Sequence, residues 1–183
     1  LEKLKTVRSS HHSEKRKCCQ SKSCKTHTPS LCAMNESKFS SKIKSIPSFR
    51  SVSLERATEV GIPDLCLISR HHAPLTIFVE LKVVNSIDCK IVYQPAQPAK
   101  INELDKLGAL VGTLVYCRKE RVIVWVQPQY TQKISRNNTK VSSVLLEKMG
   151  DVICSDQDFE WIGIVDLFFH SLIVEKVYRI SLN

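Results

Sequence analysis

The chain has 183 residues, 43% of them hydrophobic and 25% charged, with a formal net charge of +9. That length can bury a sizeable core in one domain, with or without a tail, and the composition is that of an ordinary globular protein. It argues against a membrane protein: the longest apolar candidate, Trp161 to Val174, is interrupted by Asp166 and His170.

The charge is uneven. Residues 1–50 carry twelve Lys/Arg against three Asp/Glu, whereas residues 51–183 carry fifteen of each. The basic character belongs to the amino-terminal segment, where it suits either attraction to nucleic acid phosphates or a solvated or targeting tail. The first residues, Leu1 to Ser13, are polar and charged and do not resemble a secretory signal. The eight cysteines are therefore expected to be reduced thiols in an intracellular protein of the cytoplasm or nucleus.

In chain order, residues 1–34 are rich in Ser, Lys, His and Cys without periodicity and read as a flexible arm. Cys18, Cys19, Cys24, His27 and Cys32 lie within it, but their spacing does not match a common structural zinc pattern. Phe39, Ile43 and Ile46 recur at helical spacing, which predicts a helix from Glu36 to Ile46 ended by Pro47. Strands are predicted over Arg50–Ala57, Asp64–Ser69 and Ile77–Val84, the last two joined by the turn-rich RHHAP containing His71 and His72. His71 and His72 could contact DNA or a metal; an exposed hairpin tip is the plainer reading. A helix over Gln97–Leu110 has Ile101, Leu104 and Leu107 on one face and tolerates Pro98 in its first turn. Strands over Thr113–Cys117 and Val122–Val126 follow, closing a core at residues 35–127. Residues 128–140 read as a linker and 141–183 as a small C-terminal α/β extension. In that extension Ser155 and Asp158 would cap a helix reaching about His170, and Ile173–Leu182 alternates like a strand. The acidic group Asp151, Asp156, Asp158 and Glu160 fits a helix amino terminus. Short strands alternating with helices predict an α/β fold with a mixed central sheet flanked by helices.

The chemistry concentrates in Gly61-Ile62-Pro63-Asp64 and Phe78-Val79-Glu80-Leu81-Lys82. Strand alternation puts Phe78, Glu80 and Lys82 on one face and Val79, Leu81 and Val83 on the other, toward the core. A hairpin through residues 70–76 can bring Asp64 beside Glu80, so that two carboxylates and an ammonium converge. Carboxylates are hard ligands for Mg²⁺, and a lysine beside them can position water or stabilise developing charge. The plain alternative is an exposed Glu/Lys strand pair.

These segments, followed by Gln97, Ile101, Leu104 and Gly108, resemble the core of the PD-(D/E)XK nuclease superfamily, with its restriction-endonuclease-like fold. The likeness is closest to the VRR-NUC and Holliday-junction-resolvase branches and covers residues 36–126. It implies that Asp64 and Glu80 bind Mg²⁺ (or Mn²⁺) with the Leu81 carbonyl, and that Lys82 acts on the nucleophilic water. Gln97 would lie near the metal or the scissile phosphate, with Gln94 in the alternative register. Glu36 is the natural further acidic ligand, in competition with Glu55 and Glu59.

The implied activity is metal-dependent endonucleolytic cleavage of DNA, including branched or flap structures, with RNA as the alternative polynucleotide. Junction resolvases pair two sites for two cuts, so a homodimer is a further expectation. Candidate phosphate contacts are Lys15, Arg16 and Lys17 in the arm, Lys42 and Lys44 in the first helix, and Lys100 in the second. The competing functions are a non-cleaving nucleic-acid-binding module and a structural subunit of a repair or viral assembly. If the arm supplies affinity alone, removing residues 1–34 should weaken DNA binding and flatten its dependence on salt, because fewer phosphate contacts release fewer counterions. Affinity measured against salt concentration checks this; identical salt slopes would assign the arm another role.

Overall fold

The computed structural model describes residues 34–181 apart from 55–59, 72–74 and 158–159. Lys15, Arg16, Lys17 and the Cys/His cluster of the arm lie outside these residues, as do Glu55, Glu59, His72 and Asp158.

The chain runs α1 (Glu36–Lys44), β1 (Phe49–Ser53), β2 (Leu65–Ser69), β3 (Thr76–Val84), α2 (Gln97–Lys106), β4 (Leu110–Cys117), β5 (Val122–Val126), a short 3-10 turn at Pro128–Tyr130, α3 (Thr131–Asn137), α4 (Val141–Leu146), β6 (Gly150–Ser155) and α5 (Trp161–Ser181). The six strands form one sheet in sequence order. Among the described residues the β3–β4 pair is parallel and the other four strand pairs are antiparallel. A parallel pair cannot be joined by a tight hairpin. The chain between β3 and β4 therefore crosses over the sheet, and α2 lies on that crossover.

Helices cover both faces. Phe39 and Ile43 of α1 and Trp161, Val165, Phe169 and Ile173 of α5 pack with Leu65, Val79, Leu81, Leu114 and Trp125 on one side. Ile101 of α2, Ile134 of α3 and Val141 and Val144 of α4 pack with Val111, Val115, Val124 and Val126 on the other. Successive strand residues contribute to opposite cores, as the twofold period of a strand requires. The α/β fold with a mixed sheet between helices is thus the one expected.

Several local expectations change. Residues 128–140 are not a linker: they fold into the 3-10 turn and α3, whose Ile134 is fully buried. Residues 141–183 are not a separate extension, because β6 pairs with β5 as the sixth strand and α5 covers the central core. The strand expected over Ile173–Leu182 is not formed: its described residues, Ile173–Ser181, continue α5. Its β-branched residues imitate a strand locally, but Trp161, Val165, Phe169 and Ile173 recur every four residues and bury as one helical face. Ser155 ends β6, its hydroxyl donating to the Arg121 carbonyl at 3.0 Å, and does not cap a helix. In α2 the helix stops at Lys106 and not Leu110, since Gly108 adopts φ +83° just beyond it. β1 begins at Phe49 and ends at Ser53, short of the expected Ala57.

α1 starts where its chemistry dictates. Asn35 accepts from the Lys38 amide at 2.8 Å, Glu36 sits in the first turn, and Lys42 and Lys44 sit in the last, matching the helix dipole at both ends. None of the described cysteines is in a disulfide. Among the described residues, no helix is long and apolar enough to cross a membrane.

Because α5 belongs to the main core, its loss should unfold the whole domain. Phe169 is fully buried against Phe49 and Trp125. Phe169→Ala should cost about 3–5 kcal/mol of unfolding free energy, and a chain ending at Lys140 should show no cooperative transition. Denaturant unfolding followed by tryptophan fluorescence checks both; a cooperatively folded truncation would restore a separable C-terminal unit.

Candidate active site

β3 is the third strand of six and carries the centre of the site. Leu65 of β2 pairs with Val79, so β2 begins just as β3 reaches Glu80 and runs on to Val84. Past that point β3 has lost its neighbour on the β2 side. Asp64, the residue before β2, fills the first vacancy in the ladder: its Oδ2 accepts from the Leu81 amide at 2.7 Å. A residue's N–H and C=O leave an extended strand on the same side. The Leu81 carbonyl therefore points to the Asp64 side as well.

Gly61 fixes the approach of this segment. Its φ is +88°, and a Cβ there would lie 2.7 Å from the carbonyl carbon of Ala96. Only glycine lets the chain leading to Asp64 press so closely on the residue before α2. That contact sets Asp64 near the start of α2, where Gln97 turns inward.

Glu80 is fully buried and so is not an exposed strand partner. Its Oε1 accepts from Gln97 Nε2 at 2.5 Å and lies 2.6 Å from Lys82 Nζ. Lys82 also donates to Gln97 Oε1 at 3.1 Å, and that oxygen accepts the Gln94 amide at 2.8 Å. The three side chains close a triangle around one carboxylate oxygen. Of the two glutamines, Gln97 is buried against Glu80 and Lys82, while Gln94 is exposed and also borders the cleft. Beneath them the Lys82 ammonium stands 5.9 Å from the centre of the Tyr93 ring, whose hydroxyl donates to Thr113 Oγ1 at 3.0 Å. Burial pushes the Tyr93 phenol well above its usual range.

The second oxygen of Glu80, Oε2, is buried without a hydrogen-bond partner. Burial is the main reason the Glu80 carboxyl is pushed up to about 7. Lys82 opposes the shift, while the negative charges of Asp64 and, last, Glu36 add to it. A buried carboxylate oxygen with two further carboxylates in its field is suited to a small cation.

A cleft of about 550 Å³ opens above the triangle. Asp64, Lys82, Gln94 and Gln97 line one side; Glu36, Ser37, Ser40, Ser41 and Lys44 of α1 line the other. The structure thus gathers Asp64, Glu80, Leu81, Lys82 and Gln97 into one centre, with Glu36 on the facing wall. Among the described residues, no three His, Cys, Asp or Glu side chains are grouped closely enough to hold a metal alone. The oxygen donors that would hold a Mg²⁺-type ion here are Asp64 and Glu80 with the Leu81 carbonyl, since such ions retain several waters and need few protein ligands.

The expected phosphate contacts divide. Lys44 lines the cleft. Lys42 turns away, its ammonium 5.7 Å over the Trp161 ring, and Lys100 pairs with Glu103 at 3.2 Å. His71 is exposed, and its ring is tilted against that of His170, 6.0 Å between centroids. Asp156 belongs to a structural clasp, accepting from Arg121 Nε at 2.5 Å and from the Tyr116 hydroxyl at 2.6 Å. The sequence expectations omit Ser40, although Ser37, Ser40, Ser41 and Lys44 fall at the spacing of one helical face.

Comparison with models of known protein families found no match, and comparison with curated protein sequences found none either.

The Glu80 environment carries a signed expectation for stability without metal. A carboxyl raised from 4.5 to about 7 holds its proton longer in the folded than in the unfolded chain. Its contribution is complete below pH 4.5 and is lost as pH rises to about 7. The loss amounts to at most about 3 kcal/mol. Glu80→Gln keeps the shape and removes the titration, so the stability difference between wild type and variant, measured by denaturant unfolding in EDTA, should shrink or reverse across that window. Parallel pH curves would refute the assignment.

Proposed function

We propose that this protein is a metal-dependent nuclease of the PD-(D/E)XK type that hydrolyses phosphodiester bonds in DNA. The observation that carries the reading is the fully buried Glu80 carboxylate, paired with Lys82, left with one unpartnered oxygen and lying in the field of Asp64. A buried charge of this kind costs stability, and its retention argues for a task beyond folding.

Each residue has a distinct role. Asp64 and Glu80 hold the cation, assisted by the Leu81 carbonyl. When bound, Mg²⁺ or Mn²⁺ supplies charge neutralisation at the phosphate and lowers the pKa of a coordinated water. Lys82 stands beside Glu80, where it orients the attacking water and stabilises charge building on the phosphate in the transition state. Gln97 fixes the geometry, since its amide holds Glu80 through Nε2 and Lys82 through Oε1. The order of elements supports the same reading: a helix, three antiparallel strands and a helical crossover to a parallel strand carry the residues that the motif requires. DNA binding and a homodimer belong to this proposal.

The test separates the roles. Asp64→Ala and Glu80→Ala should abolish cleavage and weaken Mg²⁺ binding. Lys82→Ala should keep its metal site while the single-turnover rate falls by several orders of magnitude. Since Lys82 lowers the proton affinity of Glu80, metal binding by this variant should require a higher pH than in wild type. Calorimetric Mg²⁺ titration beside cleavage of plasmid, fork and junction DNA decides the matter, with an RNA substrate as a further arm. A Lys82→Ala protein that cuts at the normal rate would sink the nuclease assignment at this site.

A further inference from the structure

α1 forms the wall of the cleft that the proposed chemistry leaves unused. We propose that Ser40 and Lys44 form an anion subsite that holds a second backbone phosphate of the polynucleotide, next to the one cleaved. The identity of the ligand rests on the nuclease reading; the subsite itself rests on independent observations.

Ser40 is 4% exposed, and its Oγ is buried without a hydrogen-bond partner. A buried hydroxyl in the middle of a helix ordinarily turns back onto a carbonyl of the preceding turn. Its neighbour Ser41 does so, donating to the Ser37 carbonyl at 2.9 Å. Ser40 does not, yet it borders the cleft. A hydroxyl that is buried and unsatisfied costs stability, and alanine would serve the helix better. Retention of serine is explained if a ligand oxygen supplies the partner.

Lys44 stands one turn further along the same face and also borders the cleft. Its ammonium is held by Ser53 Oγ at 3.3 Å, whereas Lys82 is committed to Glu80 at 2.6 Å. Among the described residues, Lys44 is therefore the cleft cation engaged by a hydroxyl and not by a carboxylate. One strong donor and one available positive charge on a single helical face are what a phosphate monoanion requires. Glu36 and Asp64 keep the apo cleft from being strongly positive.

Two dinucleotides test the subsite. TpT has one internal phosphate, and pTpT adds a terminal one; both are titrated into the full chain in Ca²⁺ by NMR. Wild type should prefer pTpT, and Ser40→Ala, Ser40→Cys and Lys44→Ala should each lose that preference by about tenfold or more while binding TpT as before. The thermal midpoint of Ser40→Ala should be unchanged or raised, because an unsatisfied hydroxyl is removed. A Ser40→Ala protein that keeps the preference overturns the subsite, as does equal weakening of both dinucleotides with a lowered midpoint, or a wild type that binds the two alike. Cleavage is read separately. Normal cutting without any effect at Ser40 removes the subsite and leaves the nuclease reading; a Ser40-dependent preference in a protein that cuts nothing in Mg²⁺ or Mn²⁺ does the reverse.

Discussion

The burial of one carboxylate, Glu80, organises this molecule. Taking an ionisable group out of water is expensive unless partners replace the lost hydration. Here the partners are Lys82, two residues along the same strand, and Gln97, the first residue of α2. Each is fixed by something else: Lys82 by the strand period, Gln97 by the crossover that the parallel β3–β4 pair imposes. The chain meets the cost only in part, since Oε2 has no partner. Stability and candidate chemistry therefore meet in a single side chain.

The surroundings follow from that constraint. The early end of the β2–β3 ladder frees the Leu81 amide, and Asp64 satisfies it with its side chain. Gly61 gives up a side chain so that the same segment can touch Ala96. Behind the site, Tyr93 and Thr113 satisfy one another beneath the lysine. Among the described residues three buried polar atoms lack a hydrogen-bond partner: Asp166 Oδ1 in α5, Glu80 Oε2 in the sheet and Ser40 Oγ on the α1 wall of the cleft. Native proteins leave few buried polar atoms unsatisfied, and two beside one cleft draw attention to what the cleft receives.

The far half of the sheet serves a different end. β5 and β6 extend it beyond β4, and α5 lies across the core that α1 begins. The Trp125 ring is packed so tightly on Gly112 that no Cβ would fit there. Arg121, Asp156 and Tyr116 tie the β4–β5 turn to the end of β6. These contacts make residues 128–181 part of the platform on which the site stands.

The sequence by itself determined the α/β class, the hairpin strands, the two helices beside them and the nearness of Asp64 to the strand that carries Glu80 and Lys82. All of these are local: a period of two or of three to four, a proline, and charged side chains spaced along one strand. What only the tertiary structure decided was non-local. The sequence could not tell that Ile173 continues a helix, because β-branched residues suit a strand equally well until a partner face is known. Nor could it join β6 to β5 across an apparent linker, since strand pairing leaves no mark on the intervening residues. The burial of Gln97 and not Gln94, the pairing of Lys42 with an aromatic ring and the burial of Ser40 depend on which helical face meets the sheet, and that is fixed only when the whole core packs.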